Sequence, residues 1–473
     1  MLPFALEETS VKAATTEKWN SLFKTSGRAL LITIAVFVLG YPADVHAGEQ
    51  NVDCRTPLAF RNAAVNAVVL PYAYAGAPDK PLSEAGRRLS VLMHRSVLTS
   101  LLKYGSIGAI QMTAPRGGRL AECAPEIILS KLLGQTNGAI EQVSLRHGVV
   151  ILSGNIYEEG SQIFLQTYVH FARRAASEDV RFTLKNQQFT ARLPAQSFAF
   201  PPRKLSVQDL NVIERQFASA ILVRSVPDIN APGTPIPVAD LSREPFSYSV
   251  QEVRGDWMRI QPFGPGPGGW LQSGALSDNE FLTQKMPEMH FVDGLTGYLR
   301  YRVAKDNNET VNAASLIAKV EKAIGTYEMM NAGKASGLSG AIGQEILGLM
   351  YWLKPQPSSA DLEMAHVRFN KAAGLLPYNA DARNMDDLGR IRVGANSPQS
   401  LFERKIADSF LAAIAMDPEN EILLSNLQSF YKVLQATPSN VTGLDQLTSE
   451  EVSNRLRETQ SVRPQIAPRG RPK

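Results

Sequence analysis

The pattern of apolar and polar positions changes period along the chain, and each change marks an element or a boundary. Ala29–Gly40 is an unbroken apolar run, preceded by Lys18, Lys24 and Arg28 and followed by Val45-His46-Ala47. That order is an export signal with a small-x-small cleavage site before Gly48, so residues 1–47 are expected to leave the mature chain. About twelve apolar residues fall short of the roughly twenty that span a bilayer, which argues against a retained anchor. Cys54 is preceded by Asn51-Val52-Asp53, not by a lipobox, so no lipid anchor is expected either.

Residues 57–205 read as an α/β domain. The run Asn66-Ala-Val-Val-Leu-Pro71 ends as an interior strand should, and Ser83–Lys103 places Leu89, Leu92, Val97, Leu98, Leu101 and Leu102 at helical spacing. A strand fits Gly108–Met112, a second helix fits Pro125–Leu133, and two long strands fit Val149–Gly154 and Gln162–Ala172 around the turn Tyr157-Glu-Glu-Gly160. Strand, helix, strand puts the first pair in parallel, and the late hairpin adds antiparallel strands. The series AVVLPYAYAG, a leucine-bearing helix, then Leu152-Ser-Gly154 with an alternating strand resembles the amino-terminal domain of the TolB family of periplasmic proteins. That resemblance implies a protein-binding module without catalysis. A generic α/β domain sharing only the strand order is the other reading.

Two proline-rich stretches, Pro194–Pro202 and Pro227–Pro237, read as linkers or irregular loops. After them Phe246, Tyr248 and Val250 alternate, Arg254-Gly-Asp256 is a turn, and Trp257–Ile260 alternates again before a Gly-Pro loop and Gly269-Trp270-Leu271. The series Val250, Val253-Arg-Gly-Asp-Trp257-Met-Arg-Ile260 and Gly269-Trp270-Leu271 resembles the bacterial SH3 domain over about 222–276. The resemblance implies a small five-stranded β-barrel, no catalytic residue, and a cell-wall peptide or a protein as ligand. Both tryptophans are explained by core packing alone, so Tyr248, Phe263 and the glycine-proline loop are the candidate ligand contacts.

From about 308 to 436 the spacing is helical. Phe369, Ala372, Pro377 and Asn379 recur as Phe410, Ala413, Pro418 and Asn420, a period of 41 residues. This looks like a degenerate tetratricopeptide repeat, with inserted residues around Val393–Leu401 and an extra helix pair from Glu309–Met330 and Leu338–Leu353 closing the array. The resemblance implies a concave peptide-binding face made from Ala380–Arg392 and Glu419–Tyr431, with Asn384, Asp387, Arg390, Asn426 and Gln428 as candidate polar contacts. Residues 459–473 read as a disordered basic tail.

The remaining chemistry narrows the picture. The chain has 473 residues and a formal net charge of +4. Arg463, Arg469, Arg471 and Lys473 equal that excess, so the body is near neutral and carries no broad footprint for nucleic acid. Cys54 and Cys123, both in the exported part, are expected to form a disulfide; two separate buried thiols are the alternative. Histidines are widely spaced and neither CxxC nor HExxH occurs, so no metal and no cofactor is expected. Gly333-Lys-Ala-Ser-Gly337 lacks the upstream glycine of a phosphate loop, and Ser339 lacks the final glycine of a nucleophile elbow.

The expected architecture is thus multidomain: an α/β amino-terminal domain, a small SH3-like β-barrel and an all-α repeat array. The expected role is a periplasmic or secreted envelope scaffold or adaptor, not an enzyme, binding envelope proteins or peptides and making no membrane span after cleavage. The alternative is a peptidoglycan-binding accessory protein that targets or regulates a cell-wall enzyme.

Overall fold

The structure is a computed structural model. It describes residues 63–70, 73–74, 107–111, 125–134, 147–159, 162–173, 179–206, 208–209, 222–235, 247–254, 257–262, 267–272, 286–331, 337–395, 398–437 and 445–462. The export signal, Cys54, Cys123, the expected helix 83–103 and Phe263 lie outside these.

The sheet begins as the sequence suggests. Strand β1 (Val65–Val69) pairs in parallel with β3 (Ile107–Gln111) on one side and with β4 (Gly148–Glu159) on the other. The short β2 (Ala73–Tyr74) also joins β4 in parallel. β5 (Gln162–Arg173) returns antiparallel along the whole of β4, from Gly148 opposite Arg173 to Glu159 opposite Gln162. β1 is buried on both faces, which is why its sequence is apolar apart from Asn66. Val65, Ala67 and Val69 face the main core, whereas Val68 and Leu70 face Ile128 and Leu132 of helix α1 (Pro125–Gly134).

Beyond β5, the hairpin β6 (Val180–Leu184) and β7 (Gln187–Ala191) forms a separate two-stranded sheet. The proline-rich segments are not wholly irregular. β8 (Ser197–Ala199) and β9 (Arg203–Leu205) pair with β5 on either side of Pro201-Pro202. β10 (Leu222–Arg224) pairs with β11 (Gly233–Pro235), and Pro235 is tolerated because β11 borders no further strand among the described residues.

The middle strands are β12 (Ser247–Arg254), β13 (Trp257–Pro262) and β14 (Gly269–Gln272), joined in an antiparallel meander that β10 extends. Among the described residues their order is β11-β10-β14-β13-β12, and the outer edge of β12 pairs with β3 rather than turning back onto β11. The expected barrel strands therefore continue the amino-terminal sheet. Gly269 has φ +148°, and a Cβ there would stand 2.5 Å from the Arg224 carbonyl oxygen, so the β10–β14 contact needs this glycine.

Nine helices follow among the described residues: α2 (Pro287–Asp306), α3 (Ala313–Met330), α4 (Gly337–Trp352), α5 (Ser359–Leu375), α6 (Ala380–Gly394), the one-turn α7 (Pro398–Leu401), α8 (Arg404–Met416), α9 (Glu421–Gln435) and α10 (Ser449–Val462). The 41-residue repeat has a local cause. Asn379 and Asn420 are the N-caps of α6 and α9, accepting from the amides of Ala382 and Ile422, while Phe369, Ala372, Phe410 and Ala413 are fully buried on the preceding helices. α10 carries Val452 and Leu456 into the core and continues to Val462, so the first four residues of the expected tail are helical.

Helix α2 has no counterpart in the periodicity. Phe291, Leu295, Tyr298 and Val303 are buried, but so are Glu288, Asp293, Thr296 and Arg302 on its other sides. It is packed between the sheet and α3, where Gly294 lets it come so close that a Cβ would stand 2.6 Å from Ile324 Cδ1. One apolar cluster runs from Val65, Val150 and Phe171 through Met258 and Leu271 to Phe291, Trp352, Phe369, Phe410 and Leu434. The three expected modules share this core.

Candidate functional site

The helices α4, α6 and α9 form a face that is occupied by the chain's own hairpin. Lys185 (φ 46°) and Asn186 (φ 64°) supply the paired left-handed conformations of a tight two-residue turn. The register sets Val180 opposite Ala191, Phe182 opposite Phe189 and Leu184 opposite Gln187, so one face of the hairpin is apolar. Val180, Phe189 and Ala191 are buried, and Arg181 and Gln188 on the other face are exposed. Phe182 stacks on Phe189 at 5.1 Å and meets Trp352 of α4 edge-on at 5.1 Å. The Arg392 guanidinium of α6 lies 5.3 Å from the Phe182 ring and 5.0 Å from that of Trp352.

Polar groups then grip the backbone of β7. Asn426 Nδ2 donates to the Thr190 carbonyl at 2.7 Å, and the Thr190 amide donates to Asn426 Oδ1 at 2.9 Å. Asn384 Nδ2 donates to the same carbonyl at 3.2 Å, while its Oδ1 accepts from Asn426 at 2.8 Å. The Ser429 hydroxyl donates to the Gln188 carbonyl at 2.9 Å. Lys185 Nζ donates to Thr437 Oγ1 at 2.7 Å. Residue numbers fall along β7 as they rise along α9, so strand and helix run antiparallel with the hairpin turn at the helix's C-terminal end.

Charge is polarised along this face. Near the base of the hairpin, Asp381 of α6 is raised above the ordinary aspartate range, chiefly by burial, and accepts from Asn420 at 3.1 Å. Glu345 of α4 stands two turns before Trp352, on the same side of the helix. It is fully buried, neither of its carboxylate oxygens has a hydrogen-bond partner among the described residues, and burial, with Asp381 adding repulsion, pushes it well above its ordinary value. Arg192 follows β7 and reaches Asp179 with Nε at 3.0 Å. At the opposite end lie Arg392, lowered by burial, and Lys305, lowered by burial and by Arg302 and Arg392.

Of the candidate contacts, the structure brings Asn384 and Asn426 together on one strand of the chain itself. The others lie elsewhere. Asp387 is buried facing Ser409, with its carboxyl raised mainly by burial. Arg390 pairs with Asp386 at 2.7 Å, within a cluster where His366 Nδ1 is 3.4 Å from Asp386 Oδ1. Gln428 Nε2 donates to the Thr459 carbonyl at 3.1 Å and ties α9 to α10. The backbone of Tyr248 lies inside the sheet, opposite Pro262 and Ala109. Ser339 is buried against the Tyr327 hydroxyl.

Sequence reasoning missed Ser429, Trp352, Glu345 and the hairpin itself. The alternation in Val180-Arg-Phe-Thr-Leu184 and Gln187-Gln-Phe-Thr-Ala191 around Lys-Asn is the signal that could have found the hairpin. A further buried acid lies outside the groove: Glu288, the first acidic residue of α2, is raised to about 7 by burial although Arg203 Nε stands 3.3 Å away. Among the described residues no three His, Cys, Asp or Glu side chains are grouped to hold a metal ion, and no helix is long and apolar enough to cross a membrane. No family model, no curated protein and no solved structure matches this chain.

Proposed function

We propose that this protein is a non-enzymatic scaffold or adaptor of the cell envelope, exported to the periplasm or beyond, that binds proteins or peptides through its helical repeat and its SH3-like strands. The observation that carries the reading is the bidentate grip of Asn426 on the Thr190 amide and carbonyl, seconded by Asn384. Side-chain amides that pair with both backbone groups of one residue recognise an extended chain through the feature all extended chains share. The side chains of Gln188 in β7 and of Arg192 just after it are exposed and take no part in that grip.

The test uses the full-length chain, because the continuous core means that removing 308–473 would expose the sheet. With a photo-crosslinker at Gln188, the wild-type protein in its own envelope should give defined adducts, and Asn384→Ala with Asn426→Ala should lose them. Unchanged adducts in the double variant would remove the helical face from the reading. Sedimentation with purified peptidoglycan sacculi, retained in that variant, would favour a cell-wall accessory role instead.

A further inference from the structure

The hairpin behaves as a ligand of the face it covers. It forms its own two-stranded sheet, and the clamp on β7 is made to backbone atoms of Gln188 and Thr190. Its fit is incomplete at one end. Glu345 is buried with neither oxygen bonded among the described residues, and Asp381, whose carboxylate accepts from Asn420, adds repulsion to it. Arg192, just after β7, turns to Asp179 and is 45 % exposed; its charge acts on Asp381 from there, whereas no cation among the described residues acts on Glu345. A buried carboxyl without a partner is destabilising, and a ligand that brings a cation to it removes that penalty.

Resting on the scaffold reading, we propose that the face of α4, α6 and α9 docks an extended segment of a partner protein, one with apolar side chains at alternate positions and a basic side chain at the register of Arg192. The hairpin β6–β7 is the stand-in that this segment displaces. Its apolar side chains take the places of Phe189 and Ala191, its backbone takes the Asn384–Asn426 clamp, and its cation reaches Glu345 and Asp381. The resident hairpin competes at an effective concentration on the order of millimolar, so a segment that only matches it binds at comparably high concentration and one that improves on it enters at lower concentration. The charge polarity along the face, acidic at the Asp381 end and basic at Arg392, sets the direction in which the segment lies.

The probe is a fluorescent peptide copying residues 185–194, titrated into the full-length exported protein and read by anisotropy. Saturable binding is expected, about tenfold tighter to Phe182→Ala, which loosens the resident on Trp352, and about tenfold weaker to Asn426→Ala. A peptide carrying Arg192→Glu should bind at least tenfold more weakly than the copy. No saturable binding to wild type or Phe182→Ala, or equal binding of the two peptides, overturns the proposal. If Phe182→Ala lacks a cooperative melt, Arg192→Glu in the protein loosens the hairpin at an exposed position and serves in its place. Loss of envelope adducts in Asn426→Ala without peptide exchange would spare the scaffold reading and sink displacement; peptide exchange with adducts unchanged would do the reverse.

Discussion

Three carboxyl groups, Glu288, Glu345 and Asp387, are buried deeply enough that desolvation outweighs every favourable neighbour and holds them above their ordinary values. The consequence for stability has a definite sign. An acid whose folded value lies above its unfolded one keeps its proton longer in the native state, so its contribution is complete below the unfolded value and declines as pH rises towards the folded one. For Glu288 the window runs from 4.5 to about 7, and the loss across it is roughly 3 kcal/mol. Glu451, lowered to about 2 by the Thr448 backbone and Arg404, is ionised in the folded state throughout that window and opposes the decline only near its lower edge, where the unfolded group still binds protons. Urea denaturation should therefore show lower stability at pH 8 than at pH 5, with a shallower decline in Glu288→Gln. A stability that rises over that range would mean the groups ionise freely in the folded chain. None of this was legible in the sequence, because no spacing marks α2 or places Glu288 inside a core.

The elements divide by how one-sided their surroundings are. α9 presents Leu423, Leu427, Phe430 and Leu434 on one side, and its span was readable to within a few residues. α2 is enclosed from all sides, so its apolar residues form no stripe and its polar ones are paired inside, as Arg302 is with the Tyr298 hydroxyl. Periodicity cannot mark such a helix. The hairpin was missed for another reason: its alternation is a readable strand signal, but nothing in it says that a helical face lies against its inward residues. Of the candidate polar residues Asn384 and Asn426 meet a strand of the chain itself more than 190 residues away, which spacing cannot convey. The turn offers an element-level check. Asn186 at φ 64° should tolerate Gly, whereas Asn186→Val should destabilise the protein by about 1–2 kcal/mol in thermal melts. Equal melting temperatures for the two variants would mean that the turn does not hold the hairpin's register.

At the scale of the molecule, sheet and helices share a single apolar cluster, and the links between them are polar as well: Arg173 with Asp306, Arg203 with Glu288, and Asn426 with Thr190. The described part should accordingly unfold in one transition, with calorimetric and van't Hoff enthalpies in agreement. Two resolved transitions, one for the sheet and one for the helices, would show that the junction contributes little to cooperativity. The mixture of strands and helices was legible in the sequence, whereas their union was not, because Phe182, Trp352 and Phe291 read equally well as the centres of separate cores.

The last strand of the sheet, β11, has a consequence for life in a crowded compartment. Gly233, Thr234 and Pro235 are all exposed, and β11 borders no further strand among the described residues. Leu222, Val226 and Ile229 beside it are exposed too, a combination that invites one molecule to template another. A proline offers no amide hydrogen, and three residues are too few to seed a ladder. Growth of the sheet into a fibre is stopped at that rim, and replacing Pro235 with a β-branched residue would remove the stop.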